Sequence, residues 1–278
     1  MKQLLLFFLL FSITARAQEK LQWPQQKKAV IVLTYDDALL SQLNTAVPQL
    51  KAAHFPATFF LTGDINRETI PRWRVLGKEG FELGNHTLFH PCLGVDDNPV
   101  PSDHYTPYGI IREIEVMNHL LYAVDGKNSR TYAYPCAETT VGEGRDYVDT
   151  LRKYALVKYA RVGGDASDGV ITDFKHLDPL RIPSFGVEDN TSADKLIAFV
   201  KNVEQKGGMG IIMLHGIGGD YITISASAHQ ELLNYLSKNR KTIWVTTFQQ
   251  AMDFVAKGSK GHVILQSDKG AVLQSEAN

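Results

Sequence analysis

Three short stretches of this sequence carry side chains that could do chemistry together. GNHTLFHPC (84–92) holds two histidines four residues apart, TYDD (34–37) ends in adjacent carboxylates, and MLH (213–215) ends in a histidine. One carboxylate and two imidazoles suit Zn²⁺ and leave positions open for water and substrate. A second carboxylate can act as general base, and a further imidazole can protonate a leaving group. The residue types therefore indicate a metal-dependent hydrolase.

Each stretch also has an ordinary structural explanation. His86 and His90 could be two partly buried imidazoles on a short helical turn, and an Asp pair after an apolar strand is a common helix N-cap. His215 could be a structural hydrogen-bonding residue at a strand end. The functional interpretation gains weight only if the fold brings the three stretches to one place.

The elements that must position these residues follow a regular alternation of apolar runs and amphipathic stretches after residue 28. Strands are predicted at 29–34, 57–62, 81–85, 130–135, 154–160, 179–185, 209–215 and 241–246. Helices are predicted at 41–53, 72–80, 108–124, 192–206, 227–239 and 247–257. Strands rich in Val, Ile and Leu that alternate with helices indicate an α/β fold with mostly parallel strands. So many β/α units in ~250 residues predict a closed or distorted barrel rather than an open sheet, and the C-terminal face of such a barrel collects functional side chains.

Composition limits the kinds of partner. The chain has 278 residues, 44% of them hydrophobic, which suits one large domain or two small ones. Its formal net charge of −1 is spread evenly and offers no basic footprint for nucleic acid or an anionic membrane. The expected partner is a neutral molecule.

The first seventeen residues read as a secretory signal peptide. Lys2 precedes a short apolar run, and Ala15-Arg16-Ala17 forms a cleavage site. The run is shorter than the ~20 apolar residues that span a bilayer. A mature N-terminal helix is the alternative. The expected location is periplasmic or secreted, with the functional domain over 18–257 and a C-terminal extension over 258–278.

The three stretches, in their order and spacing, resemble the first, second and fifth motifs of the polysaccharide deacetylase (NodB-homology) family, carbohydrate esterase family four. The resemblance covers roughly 29–255. It implies a distorted barrel of the polysaccharide deacetylase type and a divalent metal, usually zinc, that serves to remove acetyl groups from an acetylated carbohydrate. By position it implies these roles: Asp36 as catalytic base, His215 as general acid, and Asp37, His86 and His90 as metal ligands. Thr87 would brace the loop between the histidines.

The middle motifs depart from the family pattern. The family has an arginine shortly before Pro-Tyr-Gly that steadies the base, whereas Ala133 stands there in YAYPCA. Arg181 is the predicted substitute, with an ordinary surface arginine as the alternative. The backbone N–H of Cys136 would then lie where the family has its oxyanion donor.

The fourth motif is incomplete as well, because no tryptophan lies between 136 and 215. Phe174 or Phe185 could replace its aromatic side chain. Asp173 or Asp178 could orient the imidazole of His215, and the sequence does not choose between them.

Cys92 and Cys136 are the only two cysteines. An oxidising compartment makes pairing plausible, and the resemblance places both at one rim of the site. We predict a Cys92–Cys136 disulfide. Two separate buried thiols, or Cys92 as a thiolate ligand or nucleophile, are the alternatives.

Two loops, 94–108 and 216–221, are predicted to border the site, and two other functions are compatible with the same residues. The proline-rich loop 94–108 would shape the substrate cleft. GIGGDY (216–221) is predicted to be a flexible rim, with a phosphate cradle as the weaker alternative because the P-loop lysine is missing. Besides a carbohydrate deacetylase, the chain could be a small-amide or cyclic-amide hydrolase on the same scaffold, or a secreted carbohydrate-binding protein without turnover.

Overall fold

The computed structural model of the protein describes residues 21–94, 101–167 and 169–261. The predicted signal peptide, part of the loop 94–108 and residues 262–278 lie outside these ranges. Among the described residues, no helix has the length and apolar character needed to cross a membrane.

Eleven strands are found within the described residues, most of them short. They are β1 (Ala29–Asp36), β2 (Thr58–Leu61), β3 (Glu82–Asn85), β4 (Thr131–Ala133), β5 (Thr140–Val141), β6 (Arg145–Asp146), β7 (Tyr159–Arg161), β8 (Val170–Ile171), β9 (Phe185–Gly186), β10 (Met209–Leu214) and β11 (Ile243–Thr246).

Seven α-helices in the same residues cover the sheet. They are α1 (Val47–Ala52), α2 (Ile70–Lys78), α3 (Pro107–Asp125), α4 (Val148–Tyr154), α5 (Ala193–Lys206), α6 (Ala226–Lys238) and α7 (Phe248–Gly261). A single π-helical turn, Gln42–Ala46, precedes α1.

Strand β1 is the centre of the sheet, and all eight of its residues are buried. One of its edges pairs with β10 along residues 30–35, while the other is shared by β11 near the start of the strand and β2 near its end. The sheet runs on from β2 through β3 and β4 to β7, all parallel. The antiparallel pairs are β8 with β10 and the separate hairpin β5–β6. Burial on both faces explains the near-continuous apolar sequence of β1.

A short segment between β7 and β10 curls the sheet. Arg161 of β7 forms a parallel bridge with Ile182, and a few residues later β9 pairs with β10. The segment 182–186 thus links the two sides of the open sheet. The result is a mostly parallel sheet curled into a half-barrel with helices outside, which confirms the predicted fold class.

Predicted and observed elements differ most between 140 and 186. Residues 154–158 are not strand, because α4 ends at Tyr154 and Ala155 turns the chain with a left-handed φ of 51°. The predicted strand at 179–185 is reduced to β9 and the bridge at Ile182. The sequence pattern missed α4, since seven residues hold too few turns to show a helical period.

The longest helix has signals that are readable in the sequence. Pro107 begins α3, and the Thr106 hydroxyl oxygen accepts a hydrogen bond from the Gly109 N–H at 3.0 Å. Gly126 ends the helix with a φ of 74°, a conformation that glycine adopts at little cost. These caps set the direction in which α3 passes behind the histidine loop.

A buried polar chain joins β1 to the helices on its outer side. The Tyr35 hydroxyl donates to His229 Nε2 at 2.6 Å, and His229 Nδ1 donates to Gln49 Oε1 at 2.5 Å. Burial lowers the pKa of His229 to about 3, so this imidazole is neutral at neutral pH. With one nitrogen donating and the other accepting, the ring has both of its hydrogen bonds satisfied.

The Tyr35→Phe substitution tests this chain. It removes the donor and leaves a buried acceptor unsatisfied on His229, which typically costs about 1–3 kcal/mol. The free energy of unfolding, measured with urea, should fall by that amount. The control is Tyr154→Phe, because Tyr154 is 46% exposed and should lose almost nothing. Equal effects of both substitutions would contradict a structural role for the chain.

Candidate metal centre and active site

Three donor atoms from two loops meet at the C-terminal ends of the parallel strands. Asp37 directly follows β1, and His86 and His90 follow β3. Asp37 Oδ1 lies 3.3 Å from His86 Nε2 and 3.3 Å from His90 Nε2, and the two Nε2 atoms are 3.1 Å apart. A tetrahedral Zn²⁺ with bonds of 2.0–2.1 Å holds its ligand atoms about 3.3 Å apart. The spacing of these donors therefore fits a metal ion.

Unsatisfied and oriented polar atoms support the same interpretation. Asp37 Oδ1 is buried and has no hydrogen-bond partner among the described residues. His86 Nδ1 donates to the carbonyl oxygen of Ala133 at 2.8 Å. A backbone bond of this kind fixes the tautomer of a metal-binding histidine and leaves Nε2 as the ligand atom.

The pKa shifts within the cluster favour the metal-binding protonation state in two of the three candidate ligands, Asp37 and His90. Burial raises the pKa of Asp37, but the close contact with the His86 imidazole and the charges of the three neighbouring histidines outweigh it, so the net shift is downward. Burial and the charge of His86 lower the pKa of His90 to about 4. For His86, burial acts downward, but the carboxylates of Asp36 and Asp37 raise its pKa overall. Asp37 is thus ionised and His90 neutral at neutral pH, as metal ligands must be.

The loop between the histidines is held in an unusual backbone conformation. Thr87 and His90 have left-handed φ angles of 66° and 50°, and Asp37 on the facing loop has 78°. The Thr87 hydroxyl oxygen accepts from the His90 N–H at 3.0 Å, which confirms the predicted brace. Asn85 Oδ1 accepts from the Thr87 N–H at 2.8 Å. Such conformations cost about 1–3 kcal/mol each and persist where surrounding contacts impose them.

Glu113 binds the backbone of the same loop from the side of α3, and no sequence motif predicts this contact. This buried side chain on α3 accepts from the N–H groups of Leu88 and Phe89 at 3.0 and 2.7 Å through Oε1. In the sequence, Glu113 is one charged residue on an amphipathic helix. Only the packing of α3 against β3 brings it to the loop.

Asp36 is paired with Arg161 and not with Arg181. The Arg161 guanidinium donates from Nη2 to Asp36 Oδ2, and both side chains are almost completely buried. Arg161 lies directly opposite Ala133 in the parallel register of β4 and β7. The arginine absent at Ala133 is therefore replaced from the neighbouring strand.

The prediction for Arg181 is wrong. Its guanidinium donates to Asp146 Oδ2 and to the Thr139 hydroxyl at the protein surface. The signal for Arg161 was present, because it directly follows the predicted strand 154–160. Nothing in the sequence showed that its side chain enters the barrel.

His215 joins the site without the expected carboxylate partner. Its Nε2 lies 3.8 Å from Asp37 Oδ2, while its Nδ1 is buried and has no hydrogen-bond partner in the described part of the chain. Asp178 is bonded to Arg152, and Asp173 to His176. Neither aspartate orients His215, so both alternatives predicted for that role are wrong.

The aromatic substitutes predicted for the fourth motif pack in or against the hydrophobic core, where Phe185 is buried and Phe174 is partly buried. Phe174 packs edge-on against Trp23 at 5.3 Å between ring centroids. Phe185 packs against Phe199 at 4.7 Å. Both rings serve hydrophobic packing, so the prediction of a site aromatic at these positions is wrong.

The predicted disulfide between Cys92 and Cys136 is confirmed, with Cα atoms 5.8 Å apart. Cys92 Sγ lies 3.5 Å from His90 Nδ1, so the bridge reaches the histidine loop. Cys136 follows β4 with a φ of 51°. The bridge ties the turn after β4 to the histidine loop, and the oxyanion role of the Cys136 N–H stays a prediction.

The glycine-rich loop 216–221 is fastened, contrary to the predicted flexible rim. Its first four N–H groups, which a phosphate cradle would need, donate within the protein to Tyr221 O, Ser41 Oγ, Ile224 O and Thr223 Oγ1. Asp220 Oδ2 also accepts from the Ser41 N–H at 2.7 Å.

Tyr221, which sequence reasoning missed, stands at the end of this loop beside Asp37. Burial and the Asp37 charge raise the pKa of its hydroxyl. Its side chain is nevertheless 54% exposed, so it forms part of the open rim of the site.

The Asp36–Arg161 assignment predicts a specific pattern of stability changes. Arg161→Met leaves a buried carboxylate without its partner, and breaking a buried pair typically costs about 3–5 kcal/mol. The double variant Arg161→Met/Asp36→Asn removes both charges and should recover much of that loss in urea unfolding. Arg181→Met is the control, because an exposed pair contributes at most about 1 kcal/mol. A larger loss in Arg181→Met than in Arg161→Met would reverse the assignment.

Comparisons with known proteins relate part of this chain to a known family and its fold to solved structures. Residues 24–155 match the family model for polysaccharide deacetylase. A peptidoglycan-N-acetylglucosamine deacetylase of Bacillus cereus is 36% identical over 95 residues, which cover 34% of this chain and 32% of that protein. A gellan lyase of a Bacillus species is 22% identical over 264 residues, which cover 87% of this chain and 10% of that protein. The chain thus spans about a third of one curated relative and a tenth of the other.

Among solved structures, the peptidoglycan deacetylase PdaC of Bacillus subtilis has the same fold. It superposes with a TM-score of 0.54 at 21% identity, covering 84% of this chain and 95% of that one. Residues 24–155, which hold Asp36, Asp37, His86 and His90, are thus similar to the polysaccharide deacetylase family, and the chain has the fold of a peptidoglycan deacetylase.

Proposed function

We propose that this protein is a metal-dependent deacetylase that hydrolyses N- or O-acetyl groups of a polysaccharide or oligosaccharide. The observation that carries the proposal is the convergence of Asp37, His86 and His90 on one point, with Asp36 and His215 beside them. Members of the family are hydrolases that act on acetyl groups of carbohydrates. The named relative from Bacillus cereus acts on peptidoglycan N-acetylglucosamine.

Asp37, His86 and His90 would hold the cation, for which Zn²⁺ is the best match because the donors are one oxygen and two nitrogens. A divalent cation bound there lowers the pKa of its water and polarises the acetyl carbonyl. Three protein ligands leave room for water and substrate. The site faces the rim that carries Tyr221, from which a sugar chain can approach.

Asp36 is suited to accept the proton of the attacking water. Its Oδ2 is held by Arg161, whereas its Oδ1 is buried and has no hydrogen-bond partner in the described residues. His86 Nε2 is 3.9 Å from Asp36 Oδ2, so the carboxylate lies next to the proposed ligands without belonging to the triangle. The free oxygen is the proton acceptor in this proposal.

His215 and Cys136 would act on the other side of the reacting group. His215 Nε2 can protonate the departing sugar oxygen or nitrogen. The backbone N–H of Cys136 would donate to the oxyanion, in a turn that the disulfide with Cys92 holds at the histidine loop. The proposed setting is periplasmic or secreted, supported by the sequence of residues 1–17 and by a disulfide, which persists in oxidising compartments.

One observation favours a second candidate, a carbohydrate-binding protein without turnover. His215 Nδ1 has no hydrogen-bond partner among the described residues, so no carboxylate orients the ring of the proposed acid from that side. A poorly oriented acid would slow amide hydrolysis more than ester hydrolysis, since an amine leaving group needs its proton.

The proposed function is tested by measuring acetate release from acetylated xylan, chitin oligomers and peptidoglycan in parallel. Each substrate is assayed with the zinc-loaded protein and with protein treated with a chelator. Release that depends on metal supports the deacetylase. Binding of a glycan without acetate release from any of the three would favour the second candidate.

The ligand assignment predicts that His90→Ala loses bound metal. An open site with three protein ligands has no spare donor, so zinc content and activity should both fall by orders of magnitude. Zinc is measured by atomic emission after dialysis, with His176→Ala as control because His176 is exposed and bonded to Asp173. Stoichiometric zinc in His90→Ala would remove His90 from the ligand set.

The base assignment predicts the opposite pattern for Asp36→Asn. The variant keeps the three ligands and loses the proton acceptor, so zinc stays bound while kcat falls by ~10²–10⁴-fold, as is typical for lost acid or base catalysis. Zinc content and acetate release are measured on the same sample. If zinc is lost instead, Asp36 is a ligand and another group is the base.

A further inference from the structure

One buried amide connects the strands that carry the proposed base and the proposed acid. The Gln42 side chain is fully buried, and its Nε2 donates to the carbonyl oxygen of Asp36 at 2.5 Å and to that of His215 at 3.2 Å. A single NH₂ group has two protons, so it can serve both carbonyls at once. The amide thereby joins the backbones of the two catalytic candidates.

The Gln42 amide lies just beyond the end of the β1–β10 ladder, where the described residues have no further backbone pairing between these strands. The ladder between β1 and β10 ends at the pair Tyr35 and Leu214, one residue before Asp36 and His215. Beyond that pair the two chains diverge into separate loops. Gln42 supplies a cross-link at the first position that the ladder no longer holds.

Local backbone geometry aims Gln42 at the two carbonyls. It begins the π-helical turn, in which the Val47 N–H bonds to the Gln42 carbonyl oxygen five residues earlier. Such π-helical turns are rare in proteins as a whole, and a large share of those that occur lie at functional sites. The preceding Ser41 is bonded to the loop after His215 through its N–H and its hydroxyl oxygen. Residues 41 and 42 therefore fasten the backbone of His215 and the loop that follows it.

His215 depends on such backbone support more than Asp36 does. Asp36 has Arg161 on its carboxylate, whereas His215 Nδ1 has no hydrogen-bond partner in the described parts of the chain. Its ring direction must then follow from how its backbone is held. Resting on the function proposed above, we propose that Gln42 is a positioning residue that holds His215 in register with Asp36 across the metal centre.

The test uses Gln42→Met, which keeps the length and volume of the side chain and removes both hydrogen bonds. Gln49→Met is the matched control, because Gln49 lies on the adjoining α1 and makes side-chain hydrogen bonds to Ala226 and His229, away from the site. Zinc content, kcat and KM for acetate release are measured for each. Gln42→Met should lower kcat about tenfold to a hundredfold, as misplaced catalytic groups do, with KM and zinc little changed. Gln49→Met should keep kcat.

A second readout does not depend on activity. In protein labelled with ¹³C-histidine, the Cε1–Hε1 signal of His215 is assigned by its loss in His215→Gln, and that of His229 by its loss in His229→Gln. Gln42→Met should shift or broaden the His215 signal and spare that of His229, and Gln49→Met should do the reverse. If Gln42→Met does not fold, Gln42→Asn, whose amide ends one methylene short, carries the same test.

The outcomes separate the two proposals. Normal kcat with an unchanged His215 signal in a folded Gln42 variant overturns the positioning role. An equal fall of kcat in Gln49→Met also overturns it, because the effect would then be general destabilisation. If the native protein releases no acetate while the His215 signal still responds to Gln42→Met alone, the proposed function fails and the positioning role stands.

Discussion

Two adjacent carboxylates, Asp36 and Asp37, lie buried at the end of the central strand, and much of the surrounding structure compensates their charge. A buried carboxylate is costly unless it is paired with a cation or bound to a metal. Asp36 has the guanidinium of Arg161. Asp37 faces His86 and His90 and keeps one oxygen without a hydrogen bond in the described structure. For Asp36 the compensating charge belongs to the chain itself, and for Asp37 it is the cation of the proposed metal site.

The loop that carries His86 and His90 has a backbone conformation that is unfavourable without supporting contacts. Left-handed backbone at Thr87 and His90 is offset by contacts from three directions. The Thr87 hydroxyl braces the loop from within, Glu113 accepts two of its N–H groups from α3, and the Cys92–Cys136 bridge ties its end to the turn after β4. None of these contacts involves the proposed cation, so the loop has its own support within the chain. Preorganisation of this kind lowers the entropy lost on binding.

The acid side of the site is built differently from the base side. Asp36 is fixed through its side chain, whereas the imidazole of His215 has no partner at Nδ1 among the described residues. Its support comes through the backbone, from the amide of Gln42. The arginine that steadies the base also comes from β7, one strand away from the position at Ala133. The barrel tolerates such exchanges because parallel neighbours end at the same face, where either strand can deliver a side chain to one point.

The sequence by itself determined the class of fold, the strand ends that carry the site, and the metal-binding residue types. Apolar runs such as 29–34 and 209–215 are buried on both faces, and that burial makes their pattern readable. Histidines four apart and paired carboxylates at strand ends are local facts. The Cys92–Cys136 pairing followed from having only two cysteines and from the family resemblance.

Only the tertiary structure decided which distant residues complete the site. Arg161 directly follows the predicted strand 154–160, and Arg181 lies within the predicted strand 179–185. The register of β7 against β4 selects Arg161 as the arginine that reaches Asp36. Glu113 and Gln42 have no signal in the sequence, because their roles consist of bonds to backbone atoms of other segments. A backbone N–H or carbonyl is the same in every residue. Which of them a buried side chain meets depends on how the elements pack, and no local pattern encodes that.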